Sequence, residues 1–360
     1  MRRTFVFLLL LVSGALADSL QLTLPPSWYG VPGVPMSLYY DNIVLTEKPE
    51  SHRFDVQCDI GRSEPRRWTV TPADKDVGEH TLRVAVDDSQ AKMTLRIAPR
   101  NAGAGRNLRL LVVGDSLTAA TIYPNEIARL LSRPGNPRWT MLGTHKPPTA
   151  AKGVAHEGYG GWTWEAFLSR YNIKLGHQLD EKGKRQSSPF VFEGKLDIAR
   201  YIRENCDGQP PDVVTVLLGI NDCFHVSPDD LKAMDARISA VLDNAEKLLK
   251  AFRAVAPHTV FAVGLPTPPN SRESGFEANY KGKYHRWGWK RIQHRLVQRM
   301  LERFSGRERD GIHLVPTELN LDPVEGYPDN NGVHPNTTGY QQIGASFYCW
   351  LKRWMHMQKE

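Results

Sequence analysis

The sequence lacks the features that would place it in a membrane or build a metal or phosphate site. Beyond its first residues, no apolar run approaches the twenty or so that a bilayer-crossing helix needs. There is no H-E-x-x-H, no paired C-x-x-C and no G-x-x-x-x-G-K, so no metal and no cofactor is expected. No nucleic-acid-binding motif is present either. Cysteine is scarce: Cys58, Cys206, Cys223 and Cys349 are the only four. Cys58 falls on the apolar side of the alternation from Phe54 to Ile60 and reads as a buried thiol; at most one pair of the others can bridge.

The single strongly apolar stretch comes first. Arg2 and Arg3 precede Phe5 to Val12, and Ala15-x-Ala17 follows. This is the layout of a secretory signal occupying residues 1–17, too short to span a bilayer. A secreted or periplasmic protein is expected, and with no cysteine after the cut, no membrane anchor. Without Arg2 and Arg3 the chain carries 44 basic and 39 acidic residues, a formal charge of +5. Such a mild excess reads as a solvated surface and not as a nucleic-acid-binding one.

Residues 19–100 show no helical period. Short alternations such as Thr81 to Val86 and Met93 to Ile97, split by Asp87-Asp88-Ser89-Gln90, predict a small all-β sandwich, immunoglobulin-like, as an accessory domain. Asn101 to Gly105 reads as a linker. From residue 106 to 360 apolar strands alternate with helical patterns, which predicts an α/β unit with a doubly wound parallel sheet. The strands are expected at 108–113, 139–142, 213–218, 259–263 and 312–315. One helix is expected to follow the cap signal Ser227-Pro228-Asp229-Asp230, and a last one to begin at Thr338 with Gln341 completing a capping box.

In such sheets ligands sit beyond the carboxyl ends of the strands. The residues there are Gly114-Asp115-Ser116-Leu117, then Glu157 to Thr163 with three glycines, then Gly219-Ile220-Asn221-Asp222, and finally Asn331-Gly332-Val333-His334. Ser116, at a strand-to-helix turn, exposes a hydroxyl and an N–H. Gly161 offers an unobstructed N–H, with Gly158 and Gly160 as competitors, and Asn221 offers an amide. Ser116 is not framed as G-x-S-x-G, which argues against the α/β-hydrolase arrangement.

Together the four blocks, in this order over some 240 residues, resemble the SGNH (GDSL) hydrolase family. The resemblance implies a flavodoxin-like fold and a serine esterase. Ser116 would be the nucleophile and His334 the base, and Ser116, Gly161 and Asn221 the oxyanion hole. The family acts on carbohydrate acetates, lipids, thioesters and phospholipids. Export and the accessory β-domain favour an O-acetylated glycan over another small ester. A lipase or phospholipid acylhydrolase and a decayed glycan-binding protein are the alternatives. Aromatics after the fourth strand, from Phe276 through Tyr280 and Tyr284 to Trp287 and Trp289, are expected to wall the cleft, with residues 170–211 as a second insertion near it.

One position departs from the family pattern. The aspartate that normally stands three residues before the histidine is Asn331, and the nearest acid, Asp329, lies five before it. Three arrangements follow: Asn331 as a neutral orienter, Asp329 reaching in from a reshaped loop, or a main-chain carbonyl behind a Ser-His dyad. The register favours Asn331 or a main-chain oxygen.

Overall fold

The computed structural model describes residues 20–358, so the signal read in residues 1–17 lies outside the described residues. Seven short strands come first: β1 (Ser27–Gly30), β2 (Met36–Tyr39), β3 (Phe54–Gln57), β4 (Arg62–Glu64), β5 (Arg67–Val70), β6 (Gly78–Val86) and β7 (Ser89–Ile97). They make a four-stranded sheet, β1-β7-β6-β3, and a three-stranded one, β2-β5-β4. The period-2 alternation sets their faces: Leu82, Val84 and Val86 are buried with Met93, Leu95 and Ile97, while Arg83 and Lys92 are exposed. Trp28 of one sheet meets Trp68 of the other at 6.2 Å between centroids.

The remainder is α/β. Its strands are β8 (Asn107–Gly114), β9 (Arg138–Leu142), β10 (Glu157–Gly158), β13 (Val213–Leu217), β14 (Val260–Gly264) and β15 (Ile312–Val315), with β11 (Val191–Phe192) and β12 (Lys195–Leu196) forming a separate hairpin. The order is β10-β8-β13-β14-β15, with β9 paired to the start of β8 on the edge that β10 continues. All these pairs are parallel. Counting β9 and β10 as one interrupted strand, the order is 2-1-3-4-5, the flavodoxin-like one, with its switch point between β8 and β13.

The helices are α1 (Ser116–Ala119), α2 (Ile122–Leu131), α3 (Trp164–Ser169), α4 (Ile198–Asn205), α5 (Ile220–Cys223), α6 (Leu231–Val255), α7 (Glu273–Tyr280), α8 (Arg286–Phe304), α9 (Thr317–Asn320) and α10 (Thr337–Met357). Strand β8 explains the layering. Leu110 and Val112 face one core with α2 and α10, and Leu111 and Val113 face another with α3, α4, α6 and α8. Strands covered on both sides read as continuous apolar runs, as LRLLVV does.

The sandwich joins the first of these cores. Trp28, Met36 and Leu38 belong to the same buried cluster as Phe347, Trp350 and Leu351 of α10. Ser37 N–H donates to Asn320 Oδ1 at 2.8 Å, and Asn42 Nδ2 donates to the carbonyls of Glu318 and Leu321 at 2.7 and 2.8 Å. Lys290, only 6% exposed in its side chain, pairs with Asp41. The linker segment is pinned as well: the carbonyl of buried Ala102 accepts from Lys352 Nζ at 2.5 Å. The change of texture near residue 100 thus divides the sequence and not the core.

Three local expectations shift. The long helix starts at Leu231 with Asp230 as its cap, accepting from Ala233 N–H. The last helix is capped two residues earlier than its Thr338 signal, by Asn336, whose Oδ1 accepts from Gly339 N–H at 3.1 Å. Cys58 is partly buried, not fully, and all four cysteines are free thiols.

Candidate active site

The turn that carries Ser116 is built by close approach. A Cβ on Gly114 would fall 1.9 Å from Thr118 Oγ1, so only glycine lets α1 fold back against the end of β8. Asp115 caps that turn, its Oδ1 accepting from Leu117 N–H at 3.0 Å. Ser116 then opens α1, and its Oγ lies 2.9 Å from His334 Nε2. The two residues are 218 positions apart and meet at the switch point.

His334 sits on the loop between α9 and α10. That loop is held by buried Asn270, a residue that no local motif marked. Asn270 N–H donates to Gly332 O at 2.9 Å, and its Nδ2 donates to the carbonyls of Pro328 and Asn331, each at 3.0 Å. Asn331 Oδ1 accepts from the N–H groups of Val333 and His334 at 3.1 and 2.9 Å, an Asx turn that fixes the main chain ahead of the ring. Asp329 points away: its side chain is 90% exposed and pairs with Arg272 at 3.0 Å. Among the described residues no group hydrogen-bonds His334 Nδ1. Burial pushes the imidazole below its ordinary pKa, and no charge opposes that.

Asn221 follows β13 through Gly219, which takes φ +125°. Its Nδ2 donates to Asp115 Oδ2 and to Trp162 O, both at 3.2 Å, so its two N–H groups are engaged at the long end of the hydrogen-bond range. Burial pushes Asp115 and its neighbour Asp222 up to about 7, outweighing the donors each accepts from.

The middle block separates its glycines. A Cβ on Gly158 would lie 2.5 Å from Thr118 Cβ and 2.8 Å from Ala119 N, so this glycine lets the strand end meet α1. Gly161 takes φ +73° with open space around it, and its N–H, like that of Ser116, has no partner among the described residues. Glu157, fully buried, anchors the turn by accepting from Thr144 N–H at 2.7 Å, from Tyr201 OH at 2.8 Å and from Tyr159 OH.

Ser116 and His334 open onto a cleft of about 70 Å³ walled by Phe224, Pro268, Tyr280 and Trp289. Tyr280 and Trp289 stack at 5.7 Å, and Phe224 and Trp289 at 5.2 Å. Two of the five expected aromatics, Tyr280 and Trp289, thus line the cleft: Phe276 is buried behind it, while Tyr284, Trp287 and the segment 170–211 add nothing to the lining. The assembled groups are a hydroxyl bonded to a neutral imidazole, with free N–H donors beside it. That arrangement suits nucleophilic acyl transfer. Among the described residues no set of three His, Cys, Asp or Glu is grouped to hold a metal ion, and no helix is long and apolar enough to cross a membrane.

A GDSL-like lipase/acylhydrolase family model matches residues 112–342, which contain every residue of this site. Among solved structures the chain is similar to a family 3 carbohydrate esterase of Clostridium thermocellum, at 16% identity and TM-score 0.45 over 71% of this chain and 100% of that one. It is also similar to a family 3 carbohydrate esterase from Talaromyces cellulolyticus, at 16% identity and TM-score 0.42 over 69% and 98%. No curated protein matches.

Proposed function

Because the chain belongs to the GDSL-like lipase/acylhydrolase family, we propose that it is an exported esterase that removes acetyl groups from a carbohydrate through a Ser116 acyl-enzyme. His334 Nε2 takes the Ser116 proton as Oγ attacks the ester carbonyl. The tetrahedral oxyanion is held by the N–H groups of Ser116 and Gly161 and by the Asn221 amide, which gives up one of its two long bonds to do so. Each such donor is worth about 10²- to 10³-fold in rate. His334 then hands its proton to the departing sugar oxygen. In the second half it takes a proton from water, whose hydroxide attacks the acyl carbonyl, and it returns that proton to Ser116 Oγ as acetate leaves.

The single observation that carries this reading is the 2.9 Å Ser116–His334 bond at the mouth of a cleft of about 70 Å³. Such a space accepts a methyl group, whereas sites for larger ligands run to several hundred Å³. The half-buried rings of Tyr280 and Phe224, backed by buried Trp289, suit a sugar face. The retained nucleophile-base pair counts against a decayed binding protein. The export reading rests on the charged and apolar opening residues.

The test compares 4-nitrophenyl acetate with 4-nitrophenyl octanoate, for the wild type and Ser116→Ala. The acetate should be turned over well and the octanoate poorly. The variant should lose at least about 10³-fold with its fold intact. Equal or better use of octanoate would instead make the protein a lipase.

A further inference from the structure

A second cavity, of about 690 Å³, lies between the sandwich and the catalytic unit. We propose that it holds the chain of a neutral O-acetylated polysaccharide whose acetyl group enters the Ser116 cleft, an inference that rests on the esterase reading above. Its volume is that of a site for several linked rings and not for a single small ester. It lies at a junction between structural units, where such sites concentrate. One wall comes from the sandwich, through Tyr40, Glu50 and Phe54, and the other from the catalytic unit, through Ser271 and Arg286. The family model begins at residue 112, so the sandwich wall is an addition to what the family shares.

The cavity and the cleft are joined by one stretch of chain. Thr267 and Pro268 line the cleft, and Ser271 lines the cavity. Three residues span about 10 Å at most, a distance that adjacent sugars of one chain bridge. A narrow pocket between them shares Pro268 with the cleft, and Asp41, Ser271 and Arg286 with the cavity.

The chemistry of the walls selects the occupant. Tyr40 and Phe54 stack at 4.7 Å with 6° between their planes, and the partly exposed Phe54 offers an apolar plate to a sugar face. The carboxylates of Glu47 and Glu50 have no protein partner among the described residues, and the Arg286 guanidinium makes one long bond, 3.4 Å, to Glu47 O. These are acceptors and a donor free for hydroxyls. Asp41 and Glu64 are paired with Lys290 and with Arg62 and Arg67, and Arg66 with Asp322, which leaves the free carboxylates of Glu47 and Glu50 against the guanidinium of Arg286. The site thus gives a polyanion no free positive excess to bind, although the protein as a whole is basic.

The experiment uses partially O-acetylated xylan, its oligosaccharides of increasing length, and 4-nitrophenyl acetate as the short reference. For the full-length protein, kcat/KM should climb with oligosaccharide length and then level off. Ser63→Trp, placed on an exposed lining residue to fill the cavity, and the double change His52→Ala with Phe54→Ala should each lose at least tenfold more on the long oligosaccharide than on 4-nitrophenyl acetate. That loss should appear in KM and not in kcat. In calorimetric titration, Ser116→Ala should bind the long oligosaccharide and lose that binding when Ser63→Trp is added. Good turnover of 4-nitrophenyl acetate with no length dependence, or equal losses on both substrates, would overturn the subsite and leave the esterase standing. No turnover of any acetyl ester would overturn the esterase itself and the subsite with it.

Discussion

Asn331 holds the main chain of His334 and not its ring: its Oδ1 accepts the His334 N–H at 2.9 Å, while no group among the described residues bonds Nδ1. The position that would carry a catalytic acid thus shapes the loop. Asn331→Ala should misplace the imidazole and lower turnover by up to about 10²-fold, the order of effect of a displacement near 1 Å. Asn331→Asp keeps both turn bonds and should stay close to wild type. Asp329→Ala removes only an exposed ion pair, worth about 1 kcal/mol at most, and should change turnover less than about fivefold. Steady-state kinetics on an acetyl ester, with circular dichroism alongside, decide the matter. A loss of 10³-fold in Asp329→Ala would mean that Asp329 reaches the ring in the working enzyme.

The pH dependence follows from what surrounds His334. Burial favours its neutral form, so its pKa lies below the ordinary imidazole value of about 6.5. In the proposed mechanism the neutral form is the one that takes the serine proton. The rate constant kcat/KM should therefore be full above that value and be lost only as the pH falls through the lowered pKa. A catalytic carboxylate beside the ring would push the midpoint the other way. A kcat/KM profile with its acid limb centred above 6.5 would show that a carboxylate approaches His334 in solution.

The glycines of the middle block make separable predictions. Gly158→Ala places a Cβ 2.5 Å from Thr118 and must push α1, with Ser116 on it, out of place. It should cost at least about 10²-fold in turnover and lower the melting temperature. Gly161→Ala meets no neighbour, and its cost is the left-handed φ of +73°, about 1 to 2 kcal/mol of local strain. Its effect should fall on kcat with little change in melting. Gly160→Ala, with neither clash nor positive φ, should be silent on both. Melting curves and kinetics on the three variants separate packing from oxyanion binding.

What the sequence made legible was whatever local pattern encodes. The strand LRLLVV, the alternation in β6 and β7, and the glycine-rich turns at strand ends all carry their structure within a few residues, and the five parallel strands fall where periodicity places them. The Ser116–His334 meeting follows from the rule that strand ends converge. Asn270 was illegible because its three bonds reach carbonyls some 60 positions away, with no spacing of their own. No local pattern marks Lys290 for burial, yet it is buried against Asp41. Nor does any period reveal that Asn42 caps the carbonyls of Glu318 and Leu321. Those long-range bonds bear on whether the sandwich is an appendage, and nothing in the linker pattern at 101–105 reveals them.

That question yields a direct test. A chain beginning at Gly105 would expose the face of α10 that carries Gln342, Cys349 and Arg353, which meets Tyr39, Met36 and Glu79 of the sandwich. It would also lose Asp41, the partner of Lys290, and the Ser37 and Asn42 bonds to the catalytic unit; in the full-length chain, breaking that buried pair by removing one partner costs about 3–5 kcal/mol. Total stabilities of single domains run only to about 5–15 kcal/mol. The shortened chain should therefore be insoluble or, if recovered, melt far below the full-length protein and lose activity even on 4-nitrophenyl acetate. Asp41→Ala in the full-length chain isolates the electrostatic part: it should lower stability by several kcal/mol in denaturant titration. Recovery of a folded and active chain from Gly105 onward would mean that the catalytic unit stands alone and that the sandwich only borrows its surface.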